Sequence, residues 1–305
     1  MRYAVMGAKG KQRSIFLLFF AVLFLLLILV VPERIVADGG RSNEVLVAQN
    51  CGNGDTSVAR SPTDIPYVIS PRNTLLLSNQ PKLRWNSLLD AKSYTVSLVK
   101  GDKTVWETTV GKNEVVYPGK PVLEAGVEYL LSVKADSGKS SAEVQESARG
   151  FRLLPTSVAQ VVKVAIAQLN SQQIPQKVRG LASAYIYSGA DLKSEAIETL
   201  EAMVAGGVKD VSVHHQLGNL YWLTGVSLLS EINYKEAVKL AKSSQDLPEL
   251  AEISSALGRL YVAIGEKGEA VKWFSQARDV YKALGNTLRV RELNGQVDLM
   301  KRSLI

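Results

Sequence analysis

The stretch SSALGRLYVAIGEKGEAVKWFSQA, residues 254–277, restricts the possible fold more than any other part of the sequence. It has the composition of a helix, yet it carries Gly258, and glycine costs a helix interior about 1 kcal/mol relative to alanine. Gly265 follows seven residues later and Ala270 after twelve. The spacing predicts two antiparallel helices with a turn at Gly265. Gly258 and Ala270 are small because the helices cross closely there, and Phe274 fills the space beside the contact.

The same spacing recurs twice upstream, in VHHQLGNLYWLTG from Leu217 to Gly225 and in GLASAYIYSG from Leu181 to Gly189. We expect the second helix of the middle copy in YKEAVKLAKSS, after a longer turn than in the last copy. These units resemble tetratricopeptide repeats, a family with a period of about 34 residues. The resemblance implies an α-solenoid of helical hairpins over residues 156–305, with helices at 157–170 and 285–303 covering its two ends.

Members of this family are scaffolds that bind peptides or partner proteins in a concave groove, which the first helix of each pair lines. The resemblance implies a partner-binding surface formed by Gln176, Arg179, Ser183, Ile186, Tyr187, Ser212, His215, Asn219, Trp222, Leu223, Glu252, Ser255, Arg259 and Val262. His215, Asn219 and Trp222 share one helix face, where an amide can bond an extended backbone and an indole can anchor an apolar group. The alternative is that Trp222 packs within the helix stack.

Residues 67–153 have a different pattern, with short runs rich in Val, Thr, Tyr and Trp that alternate with a period of two. Turn sequences such as KGDK and YPGKP separate them. About seven short strands at this spacing predict an antiparallel β-sandwich.

Three segments of this region, PKLRWN, SYTVSL and LEAGVEYLLSVKA, resemble a fibronectin type III or related Ig-like domain. The resemblance implies that Trp85 is the core tryptophan of an early strand. It also implies that Leu123, Gly126 and Tyr129 form a corner in which the tyrosine hydroxyl bonds back to the backbone. The expected fold is therefore a multidomain chain in which a β-sandwich precedes an α-solenoid.

Residues 1–37 contain an apolar run at 15–31 that comes after Arg2, Lys9, Lys11 and Arg13 and holds no charge. A basic flank before such a run keeps the start of the chain in the cytoplasm and directs the residues after the run across the membrane. The run exceeds the core of a signal peptide, about 7–15 residues, and just reaches the length of a membrane span, about 17–25. A retained membrane anchor and a cleaved signal peptide both fit, and we expect the rest of the chain to be periplasmic or secreted.

Residues 38–66 are rich in Gly, Ser, Asn, Asp and Pro and predict a flexible linker. The linker contains Cys51, the single cysteine of the chain, which therefore has no partner for an intramolecular disulfide. We interpret Cys51 as a free thiol, with an intermolecular disulfide as the alternative.

The sequence offers little that would support catalysis or nucleic-acid binding. More than half of the net charge of +7 lies in residues 1–37, so the remaining chain has no basic surface for nucleic acid. His214 and His215 are adjacent and point in different directions from a helix, so we expect no metal and no cofactor. The predicted function is a non-enzymatic scaffold for protein–protein interaction in the cell envelope. The alternative is a carbohydrate- or cell-wall-binding protein that uses aromatic residues of the β-sandwich such as Trp106 and Tyr117.

Overall fold

The computed structural model describes residues 64–143 and 150–303. The predicted apolar segment at 15–31, Cys51 and nearly all of the predicted linker lie outside the described residues. Within the described ranges, no helix combines the length and the apolar character that crossing a membrane requires.

The first part of the described chain forms two β-sheets. Strands β1, β3 and β6 form one sheet in that order, and β2, β8, β7, β4 and β5 form the other. All pairings are antiparallel except that between β2 and β8, which is parallel. The elements are β1 (Val68–Ser70), β2 (Thr74–Leu76), β3 (Lys82–Trp85), β4 (Tyr94–Lys100), β5 (Lys103–Val110), β6 (Glu114–Val116), β7 (Glu128–Ala135), a 3₁₀ turn (Ser141–Glu143) and β8 (Gly150–Leu153).

The alternating pattern of the strands produces one core between the two sheets. In β4 the residues Tyr94, Val96 and Leu98 are buried, and the residues between them are not. They share a buried cluster with Trp85 of the other sheet, whose ring meets the ring of Tyr94 edge-on. The backbone N–H of Glu124 donates a hydrogen bond to the hydroxyl of Tyr129 at 2.9 Å, as expected for the corner.

Helices begin directly after Pro155, because proline is well tolerated immediately before or at the first turn of a helix. The described helices are α1 (Thr156–Ser171), α2 (Gln176–Gly189), α3 (Lys193–Ala205), α4 (Val211–Leu223), α5 (Ser227–Ser244), α6 (Leu247–Ala263), α7 (Lys267–Ala283) and α8 (Thr287–Arg302). The pairs α2–α3, α4–α5 and α6–α7 form three hairpins. Helix α1 packs on the first hairpin, and α8 packs on the last through Leu293 and Val297.

The expected reason for the glycine at 258 is confirmed. A Cβ atom at Gly258 would lie 2.3 Å from Cδ1 of Phe274, and one at Gly218 would lie 2.4 Å from Cδ1 of Tyr234. Both rings are buried and belong to the second helix of the same hairpin. Glycine has a low helix propensity, but because it lacks a Cβ atom the aromatic ring of the neighbouring helix can lie against its backbone.

The longer turn expected in the middle repeat is not present. Residues 224–226 connect α4 to α5, and residues 264–266 connect α6 to α7, so both turns have the same length. The additional residues lengthen the second helices instead, because α5 has 18 residues and α7 has 17, against 13 in α3.

The register predicted for the first repeat differs from the structure by two residues. The carbonyl of Tyr187 accepts a hydrogen bond from Leu192 N, as the carbonyls of Tyr221 and Tyr261 do at the corresponding turns. Tyr187, and not Tyr185, therefore corresponds to those tyrosines. The cause is Asp191, which adopts the left-handed φ of 60° that Gly225 and Gly265 adopt in the other hairpins, so Gly189 is not the turn residue.

The described residues 64–143 and 150–303 belong to one compact unit, and the β region contacts the turns of the first two hairpins. Leu75 N donates to Asp191 O at 2.9 Å, and Arg72 Nε donates to Thr224 O at 2.7 Å. Arg84 of β3 binds both carboxylate oxygens of Glu201 on α3 at 2.5 and 3.1 Å. The hydroxyl of Tyr221 donates to the same carboxylate, so one partly buried network joins β3, α3 and α4.

Candidate functional site

The first hairpin contributes less to the predicted surface than its sequence suggested. Gln176 is exposed at the start of α2. Arg179 donates to the carbonyls of Gln172 and Ile174 at 2.8 and 3.3 Å and so binds the chain between α1 and α2. Ser183 is only 8% exposed, and Tyr187 packs against two buried clusters. The two-residue shift of register explains why Ser183 and Tyr187 point inward.

Tyr185 is the residue of α2 that sequence reasoning missed, since its side chain is 46% exposed. Burial raises the pKa of its phenol, and the charges of Glu249 and Asp210 act in the same direction. Tyr185 therefore lies near the first turns of α4 and α6. The signal that would have found it is the pair Ala184 and Ala196, which are fully buried and twelve residues apart, like Gly258 and Ala270.

His215 joins α4 to α6. Its Nδ1 lies 2.8 Å from a carboxylate oxygen of Glu249, and because a carboxylate only accepts, Nδ1 carries the proton. This hydrogen bond lowers the pKa of Glu249, while burial and nearby Asp210 raise it. Asp210 accepts from two backbone N–H groups at the start of α4 and also pairs with Lys177.

Asn219 lies one turn further along α4, and its orientation is set by the second helix of its own hairpin. The hydroxyl of Tyr234 donates to Asn219 Oδ1 at 2.7 Å, which leaves the Nδ2 amide of Asn219 as a donor. Burial raises the pKa of Tyr234, and the positive charge of Arg259 on α6 acts in the opposite direction. Tyr234 thus lies in contact with Asn219 and within electrostatic reach of Arg259.

Arg259 is half-buried and forms no hydrogen bond or ion pair with any residue of 64–143 or 150–303. Every other arginine of the described chain that is half-buried or buried is bound to a carboxylate or carbonyl oxygen. These arginines are Arg72, Arg84, Arg179, Arg278 and Arg289.

Glu252, which precedes Arg259 by two helical turns, is already engaged. It accepts from the hydroxyl of Tyr281 and lies 3.8 Å from Arg289. Trp222 is half-buried and packs against the core shared by the last two hairpins. Its ring therefore contributes to the packing of the helices. Its neighbour Leu223 is 42% exposed. We call the surface formed by His215, Asn219, Leu223, Glu252 and Arg259 the α4–α6 face.

The two histidines have different partners. His214 is buried and its Nδ1 lies 3.1 Å from Asn233 Oδ1, whereas His215 bonds Glu249. Among the described residues, no group of three or more His, Cys, Asp or Glu side chains is arranged to hold a metal ion.

The aromatic residues on which the carbohydrate-binding alternative depends belong to the β core. Tyr117 is 0% exposed, and Trp106 meets it edge-on with ring centroids 5.2 Å apart. Trp106 also packs against the cluster between the two sheets. The pair therefore presents no flat, exposed platform of the kind that a sugar ring stacks on.

Residues 210–283, which span α4 to α7, match the family model of the tetratricopeptide repeat. The C-terminal half of the chain contains tetratricopeptide repeats. No curated protein is significantly similar to the sequence.

Solved structures similar to part of the chain include three that each cover about half of it. "Crystal structure of MamA" is 14% identical with a TM-score of 0.34, over 47% of this chain and 88% of that chain. "Crystal structure of BtubC (BKLC) from P. vanneervenii" is 13% identical with a TM-score of 0.31, over 48% and 72%. A putative kinesin light chain from Podosopora anserina with nearly identical TPR-like repeats is 18% identical with a TM-score of 0.34, over 48% and 86%.

Proposed function

We propose that this protein is a non-enzymatic scaffold that binds a protein or peptide partner on the concave side of its helical repeats. Tetratricopeptide repeats mediate protein binding, and stacked helix pairs form a groove lined by the first helix of each pair. The observation that carries the proposal is the α4–α6 face. There the first helices of the two matched repeats carry the Nδ2 donor of Asn219, exposed Leu223 and the guanidinium of Arg259, which has no partner among residues 64–143 and 150–303.

The β region is proposed to be a fibronectin type III-like domain that holds the repeats in a defined orientation. The strand order of its two sheets and the bond from Glu124 N to the Tyr129 hydroxyl support this proposal. Its contacts with the helices include hydrogen bonds to the turns around Asp191 and Thr224, a hydrogen bond from Asn73 to the carbonyl of Leu223, and the pair of Arg84 with Glu201 on α3.

The scaffold is further proposed to act outside the cytoplasm, held by its N-terminal segment if that segment is not cleaved. The basic flank and the apolar run at 15–31 support this proposal. A fractionation of cells that produce the full chain, with protease added to intact and to opened cells, tests it. Residues 64–303 degraded only after the cytoplasm is opened would contradict it.

A pair of photo-crosslinkable residues tests the binding surface. Leu223 on α4 and Ile232 on α5 are similarly exposed, at 42% and 53%, but they belong to the first and second helices of one repeat. We expect a photo-crosslinking amino acid at position 223 of the full chain to capture a discrete partner, and the same residue at 232 to capture none. Equal capture at both positions, or capture at 232 alone, would contradict the proposal.

A further inference from the structure

Gly295, in the interior of the last helix α8, has no neighbour that would explain it within the described chain. A Cβ atom at Gly180, Gly218 or Gly258 would lie 2.5, 2.4 or 2.3 Å from a side chain of the neighbouring helix, so each of these glycines makes room for that side chain. A Cβ atom at Gly295 would meet nothing within 4 Å. Because glycine lowers helix propensity, a close approach by a group from outside the described chain would account for it.

Two exposed leucines lie on the same face of α8 as this glycine. Leu288 and Leu299 are each 62% exposed, and they are seven residues before and four residues after Gly295. This spacing places all three residues on one side of the helix. The other side carries Leu293 and Val297, which are buried against the last hairpin. The exposed side is therefore an apolar strip along the helix with space for a second backbone at Gly295.

Two opposite charges border this strip. Arg291 follows Leu288 by three residues, and Asp298 follows Gly295 by three, so both lie along the same edge of the strip. Both side chains are exposed, and neither forms a hydrogen bond or an ion pair with any residue of 64–143 or 150–303. The edge thus offers one positive and one negative group, two helical turns apart.

The strip is complementary to itself when two copies of α8 run antiparallel. The midpoint between Leu288 and Leu299 and the midpoint between Arg291 and Asp298 differ by only one residue along the helix. A two-fold axis at this place puts each leucine against the other leucine of the second copy. It also puts each arginine against the aspartate of the second copy. Gly295 lies next to the axis, where the two backbones come closest.

We propose that α8 is the interface through which two copies of this chain associate as an antiparallel helix pair. The same surface on both copies closes the assembly as a symmetric dimer. The occupant is a second copy because the strip pairs both of its charges with itself, which a partner of one charge sign would not do. One helix per copy buries less than the roughly 800 Å² per partner of a standard interface, so we expect a weak dimer with a micromolar Kd.

Sedimentation equilibrium of the full chain in detergent, over a series of protein concentrations, measures this Kd. Arg291→Asp alone or Asp298→Arg alone should weaken the dimer by about 10-fold, since each change turns two attractive charge pairs into two repulsive ones. The double variant restores both attractions and should return the Kd to within about threefold of the original value. Leu299→Ser should weaken the dimer by at least about 10-fold.

Lys163→Asp is the matched control, because it reverses the charge of an exposed lysine on α1, outside the proposed interface. It should leave the Kd unchanged. Circular dichroism of each variant verifies that a loss of association is not a loss of fold.

Three results would overturn the proposal. A full chain that stays monomeric at every concentration would leave the strip on α8 to a different protein. A dimer that none of the α8 variants weakens would be formed by another part of the chain. A folded double variant that associates no better than the single variants would show that Arg291 and Asp298 do not meet. Each of these results is independent of photo-crosslinking at position 223, so the proposed function stands or falls separately.

Discussion

Glu195 at the start of α3 provides a quantitative test of how the β region and the helices are joined. One of its carboxylate oxygens accepts from Leu77 N at 2.6 Å, and the other is buried with no hydrogen-bond partner. Burial, and to a smaller extent the charge of nearby Glu198, raise the pKa of Glu195 to about 7 even though the hydrogen bond from Leu77 N acts in the opposite direction. The folded protein therefore holds a proton that the unfolded chain, with a usual glutamate pKa near 4.5, releases.

The sign of the pH dependence comes from this difference. Because the pKa is raised in the folded state, the contribution of Glu195 is most favourable below about pH 4.5. It is lost as the pH rises through 7. At about 1.4 kcal/mol per pH unit, the free energy of unfolding should fall by about 2–3 kcal/mol between pH 5 and pH 8 on account of this one group.

Glu195→Gln keeps the acceptor for Leu77 N and cannot ionise. Urea unfolding of the full chain at pH 5 and at pH 8 measures the effect. We expect the free energy of unfolding of the variant, relative to that of the unaltered protein, to rise by about 2–3 kcal/mol between the two pH values. Glu124→Gln, at an exposed position in the β region, should show no such shift. If the curves for Glu195→Gln and the unaltered protein remain parallel, the carboxyl group is not desolvated and the described packing of β2 on α3 is wrong.

Replacing each of two helical glycines with alanine should change the free energy of unfolding in opposite directions. Gly258→Ala places a Cβ atom 2.3 Å from Phe274, so we expect a loss of about 1–3 kcal/mol in urea unfolding. An unchanged midpoint would show that the ring can move without cost. Gly295→Ala in α8 meets nothing within 4 Å and should gain up to about 1 kcal/mol from helix propensity, and a loss there would mean that α8 packs differently.

The parts of the fold that could be predicted are those with a local signal. The alternation of Tyr94, Val96 and Leu98 reports directly which face of β4 is buried, since successive side chains of a strand point to opposite faces. The interval between Gly258 and Ala270 likewise indicates a close contact between two helices, since it places small residues on both helices of one hairpin. Both signals come from residues within one hairpin or one strand.

The predicted register of the first repeat was wrong because an aspartate, and not a glycine, is the turn residue. Asp191 adopts the left-handed conformation there, so a sequence alignment on Gly189 placed every residue of α2 two positions away. Which of the site residues are already engaged by other side chains could not be predicted, for a different reason. Glu252 is engaged by Tyr281, and His215 by Glu249 on another helix, and such partners are defined only once the hairpins stack.

Hydrogen–deuterium exchange of the full chain, with and without the partner captured by crosslinking at position 223, tests the central claim most directly. We predict that binding of this partner slows exchange in residues 211–223 and 247–263, the first helices of the two matched repeats. Exchange in α5 and in the strands of the β region should change little. Protection confined to the β region, or to α5 and α7 alone, would show that the partner does not bind on the α4–α6 face.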